Sequence, residues 1–526
     1  MKTKILLLVL LLASFSNYSQ SDSFWSKYSG EVSKLTTDKN VSRSSFPKTY
    51  ELFELNIDAM RSVLLASVNK SGTSQTIISL PNANGQIEQF EVFEASNFDN
   101  ELQARFPEIR AFSGKGISDK YATLKISISP KGIQTMVFRA DKENEFIENF
   151  SANGKIYAVY NSQREKGKLA WTCSTPEKQL VNDLDFKISN ITSKANDTNL
   201  RTMRLAQSCT AEYSNYFGAT SAAQVSLVLA AYNATLTRCN GVYEKDLALH
   251  LYLVNNSTNV IYYDPTTDPY DDGAAGSGGT WNAQLQTTLT NLIGEANYDV
   301  GHLFGASGGG GNAGCIGCVC VDGSKGRGFT SPGSGGPVGD NFDIDYVVHE
   351  IGHQLGGTHT FSNANEGTGT NMEVGSGITI MGYAGITSAN IASHSIDTYH
   401  AVSISQIQVN LVTKSCPIVT NISANNSTPV AVAGLNYNIP ISTPFVLTGS
   451  GTDANPNNVL TYSWEQYDNS PSTLSDAASL ASAAKLAGPN WISNNPSSSG
   501  IRYFPKLSRI LLNQTRSEER RVGKEC

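Results

Sequence analysis

Three of the seven histidines in this 526-residue chain fall within eleven positions, in the stretch HEIGHQLGGTH from His349 to His359. On a helix, a spacing of four puts His349 and His353 on one face, one turn apart, so both imidazoles can reach a single ion. Glu350 follows the first of them, where a carboxylate can take a proton from metal-bound water without being a ligand. Gly356 can adopt a positive φ and end the helix, letting the chain turn back and deliver His359 as a third ligand. Three protein ligands with one open position suit hydrolysis by a zinc ion better than a closed structural site. The competing reading is a chance match on an ordinary helix. Composition alone gives roughly 0.005 expected matches to the short His-Glu-x-x-His form and far fewer to the long one.

The flanking segments are of the kinds needed to position such a site. SPGSGGPVGD, residues 331 to 340, is loop by composition, and Phe342 to Val348 reads as the apolar start of the helix, with Asp343 and Asp345 favourable in its first turn. Upstream, residues 222 to 239 have a helical apolar pattern, LALHLYLV (247 to 254) reads as a strand, and WNAQLQTTLTNLIGEA (281 to 296) as another helix, an α/β layout. Residues 21 to 201 alternate short β-like runs such as ATLKISIS and IQTMVFRA with charged turns, so this part is expected to be mostly β.

The motif, together with RLAQSCTAEYSNYFG, NYDVGHLFG, TIMGYAG and YHAVSISQI, resembles the metzincin zinc metallopeptidases, and within them the reprolysin-like (adamalysin-like) family of secreted bacterial enzymes, over residues 203 to about 415. The resemblance implies a catalytic domain at 202–415 with a twisted mixed sheet over the zinc helix. It implies Zn2+ on His349, His353 and His359, Glu350 as general base, Met381 as an apolar floor beneath the metal, and Tyr383 as an aid to the oxyanion. It also places Asp299, Val300, Gly301, His302, Leu303 and Phe304 at an edge strand that pairs with an extended substrate. Thr360 departs from the pattern of snake-venom-type relatives, which carry Asp directly after the third histidine. FEVFEASNFDNELQARFPEIRAFSGKGISD, 90 to 119, resembles the inhibitory N-terminal regions of these enzymes, so 21–201 reads as a propeptide that inhibits its own enzyme, with Arg201 and Arg204 as basic cleavage sites.

The remaining features bound the setting. A basic start and an apolar run from Ile5 to Ala13 read as a signal peptide over 1–20, too short to span a bilayer, which implies a secreted or cell-surface protein without a transmembrane anchor. A net charge of -7 gives no nucleic-acid footprint. RSEERRVGKEC, 516–526, reads as a translated sequencing adapter, which sets Cys526 aside and implies that the natural chain continues differently. Six cysteines, Cys209, Cys239, Cys315, Cys318, Cys320 and Cys416, are then compatible with three disulfides, a second metal at Cys315 to Cys320 being the other reading. Cys173 is left over, and its thiolate is a candidate zinc ligand that would hold the enzyme latent. Four aspartates within Tyr262 to Gly273 offer oxygens suited to Ca2+, with a solvated loop as the simpler account. His394 and His400 lack ligand spacing and are expected to make packing and polar contacts. Residues 416–515 resemble an immunoglobulin- or PKD-like β-sandwich, truncated. Together these features lead us to expect a secreted zinc endopeptidase zymogen that cleaves extended protein substrates by Glu-assisted attack of zinc-bound water. The alternative is a catalytically retired, zinc-binding metzincin acting as an adhesion or binding protein.

Overall fold

The computed structural model describes residues 24–68, 76–162, 172–175, 197–440 and 443–513. The expected signal peptide and the stretch 516–526 with Cys526 lie outside them. The N-terminal part is an all-antiparallel nine-stranded sheet of β1 (Trp25–Lys27), β2 (Glu51–Leu55), β3 (Thr76–Pro81), β4 (Ile87–Glu94), β5 (Arg110–Gly116), β6 (Thr123–Ser129), β7 (Gly132–Phe138), β8 (Glu145–Asn149) and β9 (Ile156–Asn161), in the order β1-β2-β9-β8-β7-β6-β5-β4-β3. Alternation along these strands sends apolar side chains to both faces. Ile133, Val137, Tyr157 and Val159 join one core with Met60 and Leu64 of helix α1 (Ile57–Ala66). Met136, Phe138, Ala158 and Tyr160 face the opposite way, into a second core.

That second core is shared with the rest of the chain. It runs on through Leu205, Tyr232, Val348 and Ile351. Its keystone is α2 (Val225–Leu247), a 23-residue helix seated on β6 and β7. Gly241 permits the seating, because a Cβ there would lie 2.6 Å from the Phe138 ring. A buried charge network crosses the same boundary: Arg238 of α2 pairs with Glu148 of β8 at 2.9 Å and with Asp343 at 2.8 Å, and Arg43 pairs with Glu148 at 2.7 Å. The two guanidinium groups hold the Glu148 carboxyl down to about 2 despite its burial.

The region expected to be α/β is so. β10 (Thr172–Cys173), β11 (Asn199–Cys209), β12 (Leu249–Leu253), β13 (Val300–Phe304), β14 (Gly310–Asn312) and β15 (Gly328–Ser331) form a mixed sheet in the order β10-β14-β15-β13-β11-β12, and β16 (Ile418–Asn421) adds antiparallel to the start of β11. The helices α3 (Trp281–Leu292), α4 (His349–Leu355) and α5 (Ala401–Val412) pack around it. Residues Asn341–Val348 enter α4 as wider i→i+5 turns.

Several expectations are corrected here. The Asp299 to Phe304 segment is no edge: β13 lies between β11 and β15 with every residue buried, and the sheet continues past β15 through β14 to β10. Cleavage between Asn199 and Arg204 is disfavoured, because this stretch opens a strand paired with β12 and β16, Arg201 is buried, and Arg204 is tied to Asp299 at 2.7 Å. The boundary at 415/416 also fails, since β16 belongs to the mixed sheet and Cys416 is bonded to Cys320. Beyond it, the described residues form two two-stranded ladders, β17 (Val430–Val432) with β19 (Ser450–Thr452) and β18 (Phe445–Thr448) with β20 (Ile501–Phe504), rather than a full sandwich. Cysteine pairing gives two bridges, Cys315 to Cys318 and Cys320 to Cys416, so no thiolate cluster stands at 315 to 320 for a second metal. Cys209 and Cys239 stay buried thiols, each against a nearby oxygen, Ser214 Oγ at 3.3 Å and the Asp343 carbonyl at 3.4 Å. No described helix is long and apolar enough to cross a membrane.

Two outcomes follow. Arg238→Ala should lower unfolding free energy by about 3–5 kcal/mol in denaturant titrations, because Glu148 and Asp343 would keep buried charge without their cation. In thiol-labelling of the native, unreduced chain, Cys209 and Cys239 should stay unmodified, and both should react once the chain is unfolded without reductant. A Cys209 to Cys239 bridge would leave both unreactive there.

Candidate metal centre

α4 places His349 and His353 one turn apart, as the spacing requires, and Gly356 ends the helix at φ +120°, so the chain reverses and returns His359. Each imidazole is fixed by what its Nδ1 touches. His349 Nδ1 donates to the Ile380 carbonyl at 2.7 Å, His353 Nδ1 to the Gly357 carbonyl at 2.8 Å, and His359 Nδ1 to the Glu366 carboxylate at 3.0 Å. Those partners are oxygen acceptors, so the ring protons sit on Nδ1 and the Nε2 lone pairs turn inward. His353 Nε2 and His359 Nε2 come within 3.1 Å, and Cys173 Sγ within 3.6 Å of His353 Nε2.

The donor atoms of Cys173, His349, His353 and His359 lie within 4.8 Å of one another, all four residues buried. Among the described residues no other group of histidine, cysteine or acidic side chains converges in this way. Two inward lone pairs at this separation repel unless a cation lies between them. Tetrahedral zinc, with Zn–N near 2.0–2.1 Å and Zn–S near 2.3 Å, requires N···N of about 3.3 Å and S···N of about 3.6 Å, close to the separations here. The donor set therefore fits a metal ion of zinc's size and preference. Without a cation, burial and the Glu350 charge push the Cys173 thiol up to about 11, so the thiolate depends on the ion.

Cys173 arrives on β10, which runs parallel along β14 in the register Thr172 to Gly310 and Cys173 to Gly311. Ser174 N–H donates to the Gly311 carbonyl at 2.9 Å, and Asn312 Nδ2 donates to the Ser174 carbonyl at 3.0 Å. Thr175 Oγ1 donates to Glu350 at 3.0 Å and accepts from the Ala313 N–H at 2.8 Å. Gly311 is needed for this fit, since a Cβ there would stand 2.2 Å from the Glu350 carboxylate. Met381 is fully buried, with its sulfur 2.8 Å from where a Cβ on Gly352 would stand, so it packs against α4. The Tyr383 ring meets His359 edge-on at 4.5 Å, and its hydroxyl donates to the Cys173 carbonyl at 3.5 Å. Burial and nearby acidic groups raise that hydroxyl well above its ordinary value and keep it protonated.

Other candidates stay apart. His302 is no ligand: its Nδ1 donates to Gln354 Oε1 and its Nε2 accepts from Thr330, both at 2.8 Å, tying β13 to α4 and β15. The aspartates of 262–273 do not converge on a Ca2+ site: Asp264 accepts from Thr266, Asp268 from the N–H groups of Ala211 and Tyr270, and Asp272 from Ala274 and Ala275. His400 caps α5 by accepting from the Val402 N–H at 3.1 Å, and His394 donates to the Ser395 carbonyl, the polar contacts expected of both.

Thr175, Gly311, Glu366 and Glu373 were not legible beforehand. Glu373 answers the departure at Thr360, whose hydroxyl donates to it at 2.5 Å. The N–H groups of Ile378 and Thr379 donate to the same carboxylate at 2.9 and 3.0 Å and lock the turn that carries Met381.

Residues 199–411 match the family model described as Metallo-peptidase family M12B Reprolysin-like. This agrees with a metzincin-type fold for that region. Among curated proteins, none matches the chain.

The expectation of a working Glu-assisted zinc endopeptidase is corrected by the same geometry. The converging donors are one thiol and three imidazoles, and the position needed for a water is taken by Cys173. Glu350 is present but buried and engaged by Thr175, so no base faces an open metal position. The descriptions hydrolase, protease and metalloprotease fall with that expectation, and a metal-binding fold closed to catalysis is what the donors support.

Burial holds the His302 imidazole down to about 4 from an ordinary 6.5. Between these values the unfolded chain takes up a proton that the native one refuses, so stability is full above pH 6.5 and falls toward pH 4, on the order of 3 kcal/mol in all. His302→Gln lacks that dependence. The stability gap between parent and variant should narrow as pH drops through this window in denaturant titrations at several pH values.

Proposed function

We propose that this chain is a zinc-holding metzincin-type protein, closed to catalysis by its own Cys173 and acting in binding or adhesion rather than in turnover. The observation that carries the reading is the fourth donor: Cys173 completes a buried set of one thiol and three imidazoles, in the position a hydrolytic site keeps open. A bound zinc would supply a cross-link there, joining the segment 172–175 to α4 and to the loop after it. The remaining residues serve that closure. Thr175 holds Glu350, Tyr383 reaches the Cys173 carbonyl, and β14 engages the backbone on either side of the thiol. The core shared by the nine-stranded sheet and the metzincin region supports a covering segment kept in place. Binding then falls to the outer surface, where Leu435 and Tyr437, beyond β17, are open to solvent in a form suited to protein partners. The apolar stretch before residue 20 supports export to the cell surface or beyond.

The intact chain should carry about one zinc per chain by elemental analysis and should turn over no peptide. Cys173→Ala should lose zinc to a competing chelator about tenfold more readily, because a three-ligand site replaces a four-ligand one. Peptide turnover that Glu350→Gln abolishes, by the intact chain or by a chain nicked between Thr175 and Asp197, would overturn the reading.

A further inference from the structure

The third ligand, His359, differs from the other two in its outer partner. His349 and His353 give their Nδ1 protons to backbone carbonyls, whereas His359 gives its proton to a carboxylate, Glu366, at 3.0 Å. A carboxylate behind an imidazole orients the ring and raises the basicity of its other nitrogen. Glu366 lies in a loop without regular structure, so something else must hold it in place. Asn365, its neighbour, accepts from the Gly367 N–H at 2.9 Å and donates from Nδ2 to the Ser470 carbonyl at 2.6 Å. The Asn371 N–H donates to Asn469 Oδ1 at 3.0 Å, and the Ser470 N–H donates to the Asn371 carbonyl at 2.9 Å. Farther along, the Asp476 N–H donates to the Asn363 carbonyl at 2.8 Å and the Gly375 N–H to the Ser479 carbonyl at 3.2 Å. Glu465 fastens the start of this strap by accepting from the Ala401 N–H at the head of α5, at 2.6 Å.

All of Glu465 to Ser479 lies outside residues 199–411, which match the peptidase family model. We propose that Glu366 is a positioning residue for the metal ligand His359, and that the C-terminal strap 465–479 holds Glu366 in place, so metal affinity depends on residues beyond the matched domain. The inference rests on the zinc-holding reading above. The strap grips the loop on both sides of Glu366, at Asn363 and Asn365 and at Asn371 and Gly375, with the carboxylate in the span between.

The test is zinc affinity of the full chain by competition with a chromophoric chelator, with the Co2+ absorption spectrum as a report on ligand geometry. Glu366→Ala should weaken zinc binding about 10–100-fold and alter the Co2+ bands. Glu366→Gln keeps an oxygen acceptor and should recover most of that loss. Asn469→Ala should weaken binding in the same direction but less. The metal-free melting temperature of Glu366→Ala should stay at the parent value, since this side chain is 26% exposed and touches the ligand rather than the core. Parental zinc affinity in Glu366→Ala would overturn the proposal, as would an equal drop in melting temperature with and without metal. A parent chain that binds no zinc would defeat the zinc-holding reading itself, and this inference with it.

Discussion

Three neutral imidazoles can be aimed at one point only if each has its other nitrogen spoken for, and the structure around the site follows from that constraint. The Ile380 carbonyl comes from the turn that carries Met381, the Gly357 carbonyl from the reversal after α4, and the Glu366 carboxylate from the loop beyond His359. Each partner lies on a different segment. The turn is in turn locked by Glu373, the reversal needs the positive φ of Gly356, and the loop is gripped by the C-terminal strap. What looks from the motif like a local device is therefore anchored by residues spread over more than a hundred positions.

Closure of the site has the same distributed character. A thiol on two residues of strand cannot reach a buried metal point unless its backbone is supported. β14 pairs with β15 on one side and with β10 on the other, and the parallel register with β10 sets Cys173 beside the histidines. The glycines of β14 let the two backbones and the Glu350 carboxylate occupy a space that any side chain would fill. Strand pairing and thiol placement are thus one arrangement, and it is this arrangement that separates a metal-holding site from a hydrolytic one.

The nine-stranded sheet is more than a cover. Its alternating faces feed two cores, and the inner one is continuous with the region 199–411 through α2. The Arg43, Glu148, Arg238 and Asp343 network adds buried charges from both sides of that boundary, each costly to strand alone. Such an interface resists separation for the reason a domain core does, which accords with a segment 172–175 that stays where it is.

Chemistry written in contiguous residues was legible from the sequence. The four-residue spacing of His349 and His353, the helix-ending Gly356 and the returning His359 depend on local geometry that any helix and turn will reproduce, and the β and α/β characters of the two regions follow from periodicity in the same way. Sheet order was not legible, because DVGHLF reads as well for an interior strand as for an edge, and only the pairing of β13 with both β11 and β15 decides between them. Nor was the pairing of the cysteines, since Cys209 and Cys239 look like their bridged neighbours until the fold buries each beside an oxygen. Glu366 and Glu373 are isolated acids in polar loops, indistinguishable from solvated ones until His359 and Thr360 are brought against them. Cysteine counting singled out Cys173 as a candidate fourth donor, but whether its thiol reaches the histidines, and with it whether the site is open or closed, rested on a contact between residues 180 positions apart, which no spacing rule encodes and only the tertiary structure could decide.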